Sequence, residues 1–453
     1  MYLNSDNQGL AGQEGSSQER QIQEHSSQKS SIQGNSAKTI AIVLSGFPVV
    51  SETFIALQAA QLVKENYTVK IFNMGEMGER DFLPEGLERF ITDDVVCHVG
   101  RRLDDLPLWR LLTLLFRAPI PTLRLLLLNP FPEGRKKTIN RIFFLEKLRF
   151  YDAVHFQFVT VAGNCLRYKD FGFLKGQSNF LCSIRGFDVT AGKYETLVDW
   201  KLVFKYIQVF TPVCDFLSSR LSRKPFFNEK VTIRKVASPI NMQKIRQRDC
   251  RGGEGLRFVS VGRLVDKKGI EVALEALAMF SGQSVTFSYT IVGDGPRYGK
   301  LKEQVRDLGL EQVVRFTGSL PSAKALDVMG ENDILLAPAR TAADGDCEGI
   351  PNVIKEAMYM GLQVVTTTHA GIPELVRNNY NGYSSREDDA GAFLEAINAC
   401  VKNRENWGSV RRRAIDSIIE GYSPEATTGQ LRRVLALLEE QSTADDSVMM
   451  HAS

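Results

Sequence analysis

Two glutamates stand in the stretch CEGIPNVIKEAMYMG (347–361), Glu348 and Glu356, with seven residues between them. Eight residues of α-helix amount to a rise of roughly 12 Å and a rotation of about 80° beyond two turns. Inside one helix, two acids so spaced are surface neighbours of no special meaning. With Glu348 in the loop and Glu356 in the first helical turns, they reach toward opposite ends of one extended ligand. The first five of the residues between, Gly349, Ile350, Pro351, Asn352 and Val353, open that helix. Unpaired N–H groups at a helix start are a ready phosphate site. A carboxylate inside the helix can accept both hydroxyls of a ribose. The pattern therefore suits a nucleotide diphosphate-sugar, with Glu356 at the ribose and Glu348 near the hexose.

A second group lies in SVGRLVDKKGIEVALEAL (260–277), where a strand pattern runs into a loop bearing Arg263, Lys267 and Lys268. Cations at a strand's carboxyl end suit phosphate oxygens that gain charge during a reaction. The same spacing also fits a solvated Lys-Lys pair on a surface turn. IVGDGP (291–296) adds a strand-to-helix turn around Gly293, a pattern shared with ordinary loops.

These residues need elements to hold them. TIAIVLS (39–45), TVKIFNM (68–74), YDAVHFQFV (151–159), NFLCSI (179–184) and IQVFTP (207–212) read as strands, with a helix over 52–65 after Ser51. A second series comprises LRFVSVG (256–262), SYTIVGDG (288–295), VVRFTG (313–318), DILLAPA (333–339) and QVVTTT (363–368). Nearly continuous apolar strands suit burial on both faces. Strand–helix alternation in two blocks predicts two doubly wound α/β domains, with ligand in the cleft at the strands' carboxyl ends.

Composition narrows the field. The chain has 453 residues, 43% of them hydrophobic, and a net charge of +3, too near neutral to argue for nucleic acid. Its seven cysteines show no C-x-x-C pairing, which excludes a disulfide framework and fits a reducing cytoplasm. The first 36 residues are rich in Gln, Ser, Glu and Gly and lack a signal peptide's apolar core. No G-x-G-x-x-G follows any predicted strand, which excludes a dinucleotide oxidoreductase. DGD (344–346) resembles a metal-binding Asp-x-Asp but sits in the loop before the phosphate-binding helix, so no metal is expected.

The segments EGIPNVIKEAM, GRLVDKKG, IVGDGP and GLQVVTTTHAGIPELV closely resemble family 4 of the retaining glycosyltransferases, over roughly residues 38–435. The resemblance implies the GT-B fold, an α/β architecture of two facing Rossmann-like domains with the active site between them. It implies that Arg263 and Lys268 hold the donor diphosphate, that Glu348 lies near the donor sugar and that Glu356 binds the ribose. FPVVSETFI (47–55), with Ser51 and Glu52, looks like the cleft loop of the branch that builds exopolysaccharides such as colanic acid. HFQF (155–158) and SIRGFDVT (183–190), with His155, Arg185 and Asp188, would line the cleft from the N-terminal side. Many relatives have His-Gly where this chain has Arg185-Gly186.

The expected organisation is a disordered polar tail (1–37), an acceptor-binding domain (38–240), a linker (241–255) and a nucleotide-sugar-binding domain (256–420). A helix over 421–440 returns to the N-terminal domain, and 441–453 is a flexible tail. The implied reaction moves a hexose from a nucleotide-diphosphate sugar to a saccharide or lipid-linked saccharide, without cofactor. An epimerase or phosphorylase on the same fold, or a silent nucleotide-sugar-binding protein, stays open on spacing alone.

One segment stands apart. LPLWRLLTLLFRAPIPTLRLLLLNPF (106–131) is very apolar but is interrupted by Arg110, Arg117, Arg124, Pro119 and Pro121, so it does not span a bilayer. Residues 101–150 carry eleven Lys and Arg against four Asp and Glu. That suits either an interfacial surface on the inner face of a membrane or helices packed on the sheet with snorkelling arginines.

Overall fold

The computed structural model describes residues 38–47, 53–75, 96–98, 108–128, 131–132, 134–176, 179–192, 197–248, 255–282 and 285–451. Ser51, Glu52 and the N-terminal tail 1–37 lie outside the described residues.

The first sheet holds β1 (Thr39–Leu44), β2 (Thr68–Asn73), β3 (Val96–His98), β4 (Ala153–Phe156), β5 (Phe180–Ile184), β6 (Val209–Pro212) and β7 (Thr232–Ile233). Its order is β3-β2-β1-β4-β5-β6-β7 and every pairing is parallel. The second holds β8 (Leu256–Val261), β9 (Phe287–Val292), β10 (Val314–Gly318), β11 (Ile334–Ala337), β12 (Gln363–Thr367) and β13 (Tyr383–Ser385). Its order is β10-β9-β8-β11-β12-β13, again all parallel.

Burial follows composition. Ile40, Ala41, Ile42, Val43 and Leu44 are all buried, because helices cover both faces of a parallel sheet. The strands absent from the sequence reading are β3, β7 and β13, which are two or three residues long and lie at sheet edges. A strand of two or three residues is too short to leave a continuous apolar run.

In each sheet the strand order reverses once, between β1 and β4 and between β8 and β11. Such a switch point opens a crevice at the carboxyl ends of the strands. The α/β architecture is thus a pair of doubly wound, Rossmann-like sheets.

Near the C-terminus, helix Trp407–Tyr422 packs on helix Asn352–Met360. Helix Pro424–His451 then packs on helix Thr53–Lys64 beside β1. The break between the two C-terminal helices has a local cause. Ser423 is extended, its Oγ accepts the Ala426 N–H at 3.1 Å, and Pro424 opens the next helix. That helix continues to His451, where a flexible tail was expected from 441.

Candidate functional site

The loop after β8 is built by close backbone approaches. A Cβ on Gly293 would sit 1.9 Å from the Gly262 carbonyl oxygen, so the ends of β8 and β9 meet only because position 293 is glycine, at φ +139°. Gly269 has φ +61°, and a Cβ there would lie 2.0 Å from the Pro338 carbonyl oxygen. Between Gly262 and Gly269, Asp266–Lys268 forms a 3₁₀ turn. The Asp266 carboxylate pairs with Arg297 at 2.6 Å, with Arg340, and with the Ala343 N–H at 3.2 Å. The turn is thereby clamped to the segment after β11.

That clamp aims both lysines at the acidic loop. Lys268 Nζ lies 3.0 Å from Glu348 Oε1, and Lys267 Nζ lies 2.9 Å from Asp346 Oδ2 and 3.8 Å from Glu348. Burial alone would raise the Glu348 carboxyl, but Lys268 and Lys267 outweigh it and bring it down to about 2. Glu348 is therefore an anion at neutral pH. Burial alone would lower the Lys267 ammonium, yet Glu348 and Asp346 hold it above the ordinary lysine value. Asp346, of the Asp-x-Asp pair, is committed to a lysine.

The backbone of Glu348 is also held. Its N–H donates to His369 Nε2 at 3.2 Å, while His369 Nδ1 lies 2.7 Å from Glu387 Oε2. With Nε2 accepting, Nδ1 carries the proton and Glu387 accepts it. The part of His369 is to position the loop, and the motif THAG beside a glycine turn was the available signal.

Glu348 lies in the loop and Glu356 in the second turn of helix Asn352–Met360. The N–H groups of Gly349, Ile350, Asn352 and Val353 have no acceptor among the described residues. Pro351 has no N–H to offer, and as the residue before the helix it sets the entry. Among the described residues the Glu356 carboxylate has no hydrogen bond or ion pair, and burial raises its pKa against the opposing charge of Lys355. A half-buried carboxylate with no donor among the described residues keeps its lone pairs available to hydroxyls.

Arg263 is exposed at the mouth of a pocket whose lining includes Gly262, Lys268, Pro351 and Val353, over Leu335 and Ala337 of β11. The pocket thus sits at the β8/β11 switch point.

The N-terminal side meets this loop closely. The Gly186 Cα faces the Cys347 carbonyl oxygen, which a Cβ would approach to 3.5 Å, and Gly349 packs on Val213 and Leu217. Thr190 Oγ1 accepts the Cys347 N–H at 3.3 Å. Glu374 accepts the N–H groups of Asp215 and Phe216 at 2.9 and 3.0 Å, capping helix Asp215–Leu221 from the opposite domain.

Arg185 stands at this junction. Its guanidinium lies 4.2 Å from the Phe54 ring centroid, donates to Ser238 Oγ at 2.9 Å and bonds Gln157 Oε1. His155 does not face the cleft. It is buried, bonded to Ser183 at 2.8 Å and Gln157 at 3.3 Å, and burial with Arg185 nearby lowers it to about 3. It is therefore neutral and supports Arg185 through Gln157, a residue the sequence reading did not single out. Asp188 is also buried and accepts the Gly186 and Arg185 N–H groups at 3.1 and 3.3 Å, holding the turn. Burial raises its pKa to about 6 against those bonds.

Residues 241–417 match the model of the glycosyl transferases group 1 family. The colanic acid biosynthesis glycosyltransferase WcaL of Salmonella typhimurium is 27% identical over 410 residues, 87% of this chain and 99% of that protein. The amylovoran biosynthesis glycosyltransferase AmsK of Erwinia amylovora is 33% identical over 54% of this chain and 59% of its own length. Among solved structures, HepE of Anabaena in complex with UDP matches with a TM-score of 0.63 at 15% identity, covering 88% of this chain and 99% of that one. A glycosyltransferase from Rickettsia africae matches equally well, with a TM-score of 0.63 at 16% identity, covering 89% and 99%. Residues 241–417 thus carry a glycosyl transferases group 1 domain, within a chain that has the GT-B fold and is similar to exopolysaccharide glycosyltransferases.

Proposed function

We propose that the protein is a retaining hexosyltransferase that takes its sugar from a nucleotide-diphosphate donor. The acceptor is a saccharide or lipid-linked saccharide at the cytoplasmic face of a membrane, in exopolysaccharide or cell-surface glycan synthesis. The observation that carries this reading is the meeting of Lys268 and Glu348 at 3.0 Å beside a helix start with unpaired N–H groups. The names of the colanic acid and amylovoran relatives support the pathway class, and a HepE structure holding UDP-glucose supports the donor class.

In this reading the diphosphate lies between Arg263, Lys268 and the N–H groups of Gly349, Ile350, Asn352 and Val353. Cleavage of the bond from the anomeric carbon leaves negative charge on the departing phosphate oxygen, which these donors stabilise. Glu348, ionised at neutral pH, is an acceptor for hexose hydroxyls rather than a proton donor. Glu356 accepts from the ribose. Incubation with a panel of UDP-, GDP- and ADP-sugars tests the proposal by acceptor-dependent release of nucleotide and anomeric retention in the product. Binding without release would identify a silent binding protein instead. Thermal shifts with UDP, GDP and ADP select the base, since ligand bound to the folded state raises the melting temperature.

Two further results are expected. Transfer proceeds unchanged in EDTA, because Arg263, Lys267 and Lys268 supply the countercharge a divalent ion would otherwise bring. Loss of activity in EDTA with recovery on manganese would overturn the cation account. Glu356→Ala should raise the donor KM by roughly 10- to 10²-fold with little change in kcat, the range of hydrogen bonds to a charged group. A fall in kcat at unchanged KM would place Glu356 at the reacting bond.

A further inference from the structure

The helices Leu108–Arg117 and Pro119–Leu128 are apolar on two opposite faces. Leu114, Ala118, Pro121, Thr122 and Leu125 point inward and are buried. On the other side Trp109, Leu112, Phe116, Ile120, Leu123 and Leu127 form a stripe that crosses the Ala118–Pro119 junction at helical spacing. Every member of that stripe is at least half exposed, and Phe116 is 90% exposed. An apolar surface of this extent marks an interaction site.

The charge around it selects the partner. Arg117, Arg124, Arg135, Lys136, Lys137 and Lys147 are all exposed around these helices. The only acid among described residues 108–150 is Glu146, which is buried and accepts the Leu174 N–H at 2.6 Å. Arg110 is different from its neighbours. It is folded inward, donates to Asn140 Oδ1 at 3.0 Å and lies over the rings of Phe143 and Phe144. Beside the stripe a groove is lined by Trp109, Arg117, Phe143, Lys147 and Phe150, aromatic walls with two cations at the mouth. No described helix is long and apolar enough to cross a membrane.

We infer that this pair of helices lies on the surface of a bilayer carrying anionic phospholipid, with the stripe among the acyl chains and the cations at the phosphates. The proposed lipid-linked acceptor gives the contact its purpose, and vesicle binding is scored separately from transfer. The test is flotation of the full chain with phosphatidylcholine vesicles containing about one third phosphatidylglycerol, and with phosphatidylcholine alone. The wild type floats with the anionic vesicles and detaches as salt rises. The variant Arg117→Gln/Arg124→Gln/Lys147→Gln should partition on the order of 10²-fold more weakly, at about fivefold per cation. Phe116→Ser/Ile120→Ser/Leu127→Ser should lose binding at low salt as well, and Arg110→Gln should lower the melting temperature rather than abolish salt-sensitive binding. All of the surface variants keep the wild-type melting temperature and nucleotide-induced thermal shift. Failure of the wild type to float, or equal flotation of wild type and both triple variants, would overturn the inference. So would a dimer in sedimentation that the serine variant dissociates, since a second copy would then cover the stripe.

Discussion

Lys268→Ala is expected to lower kcat by about 10²–10³-fold, the range of single donors to transition-state charge, with the donor KM changed far less. The clamp on the 3₁₀ turn fixes this lysine beside the acidic loop, so the free enzyme already holds it in place. A donor diphosphate entering the pocket meets an ammonium that needs only to share itself between Glu348 and phosphate. Its attraction grows as the bond to the sugar breaks, and an interaction stronger in the transition state than in the ground state appears in kcat. Kinetics should be measured alongside the melting temperature, because the alanine also leaves Glu348 with Lys267 at 3.8 Å as its remaining cation. A normal kcat with a raised KM would show that Lys268 touches the nucleotide equally in both states.

Replacing Glu348 with glutamine should remove a pH-dependent part of the folded state's stability as well as sugar-dependent activity. The folded carboxyl sits at about 2 against an ordinary 4.5, because Lys268 and Lys267 outweigh the effect of burial. A depressed folded pKa means the unfolded chain binds the proton more readily. The stabilisation is therefore complete above the unfolded value and is lost as pH falls through the folded one. The difference corresponds to on the order of 3 kcal/mol at pH 7, with most of it gone by about pH 3. Denaturant midpoints of wild type and Glu348→Gln should thus lie well apart at neutral pH and converge on acidification. A gap that stays constant with pH would mean that the lysines do not hold this carboxylate ionised. The catalytic loss should differ between hexoses, since the glutamine still accepts through its carbonyl but lacks the charge.

Local pattern carried much of this protein. The run Ile40–Leu44 is apolar at successive positions and Phe258–Val261 at all but Ser260, a pattern that suits parallel strands covered on both faces. The turn before Asn352 showed itself through glycine, proline and an acid on each side. Those features depend on neighbours within a few residues, and such neighbours are written next to one another in the chain. The edge strands β3, β7 and β13 escaped for the same reason in reverse, being too short to leave a run.

The partners of the site were decided elsewhere. Nothing local to Glu348 indicates that its N–H meets His369, nor that Thr190 and Asp346, 156 residues apart, stand 3.5 Å from each other. Nor does the alternation in HFQF reveal that His155 turns into the core while Gln157 reaches Arg185. The apolar stretch 106–131 is the plainest case, for its composition suits a packed helix pair and an interfacial one equally. Sequence by itself determined the longer strands, the turn that opens helix Asn352–Met360 and the acids and cations proposed to serve a nucleotide-sugar. Tertiary structure decided which of them meet, because strand order places β8 beside β11 and brings the two domains' loops together at the switch point. Pairing of that kind is set by topology across long stretches of chain, whereas periodicity and turn chemistry act only over a few residues.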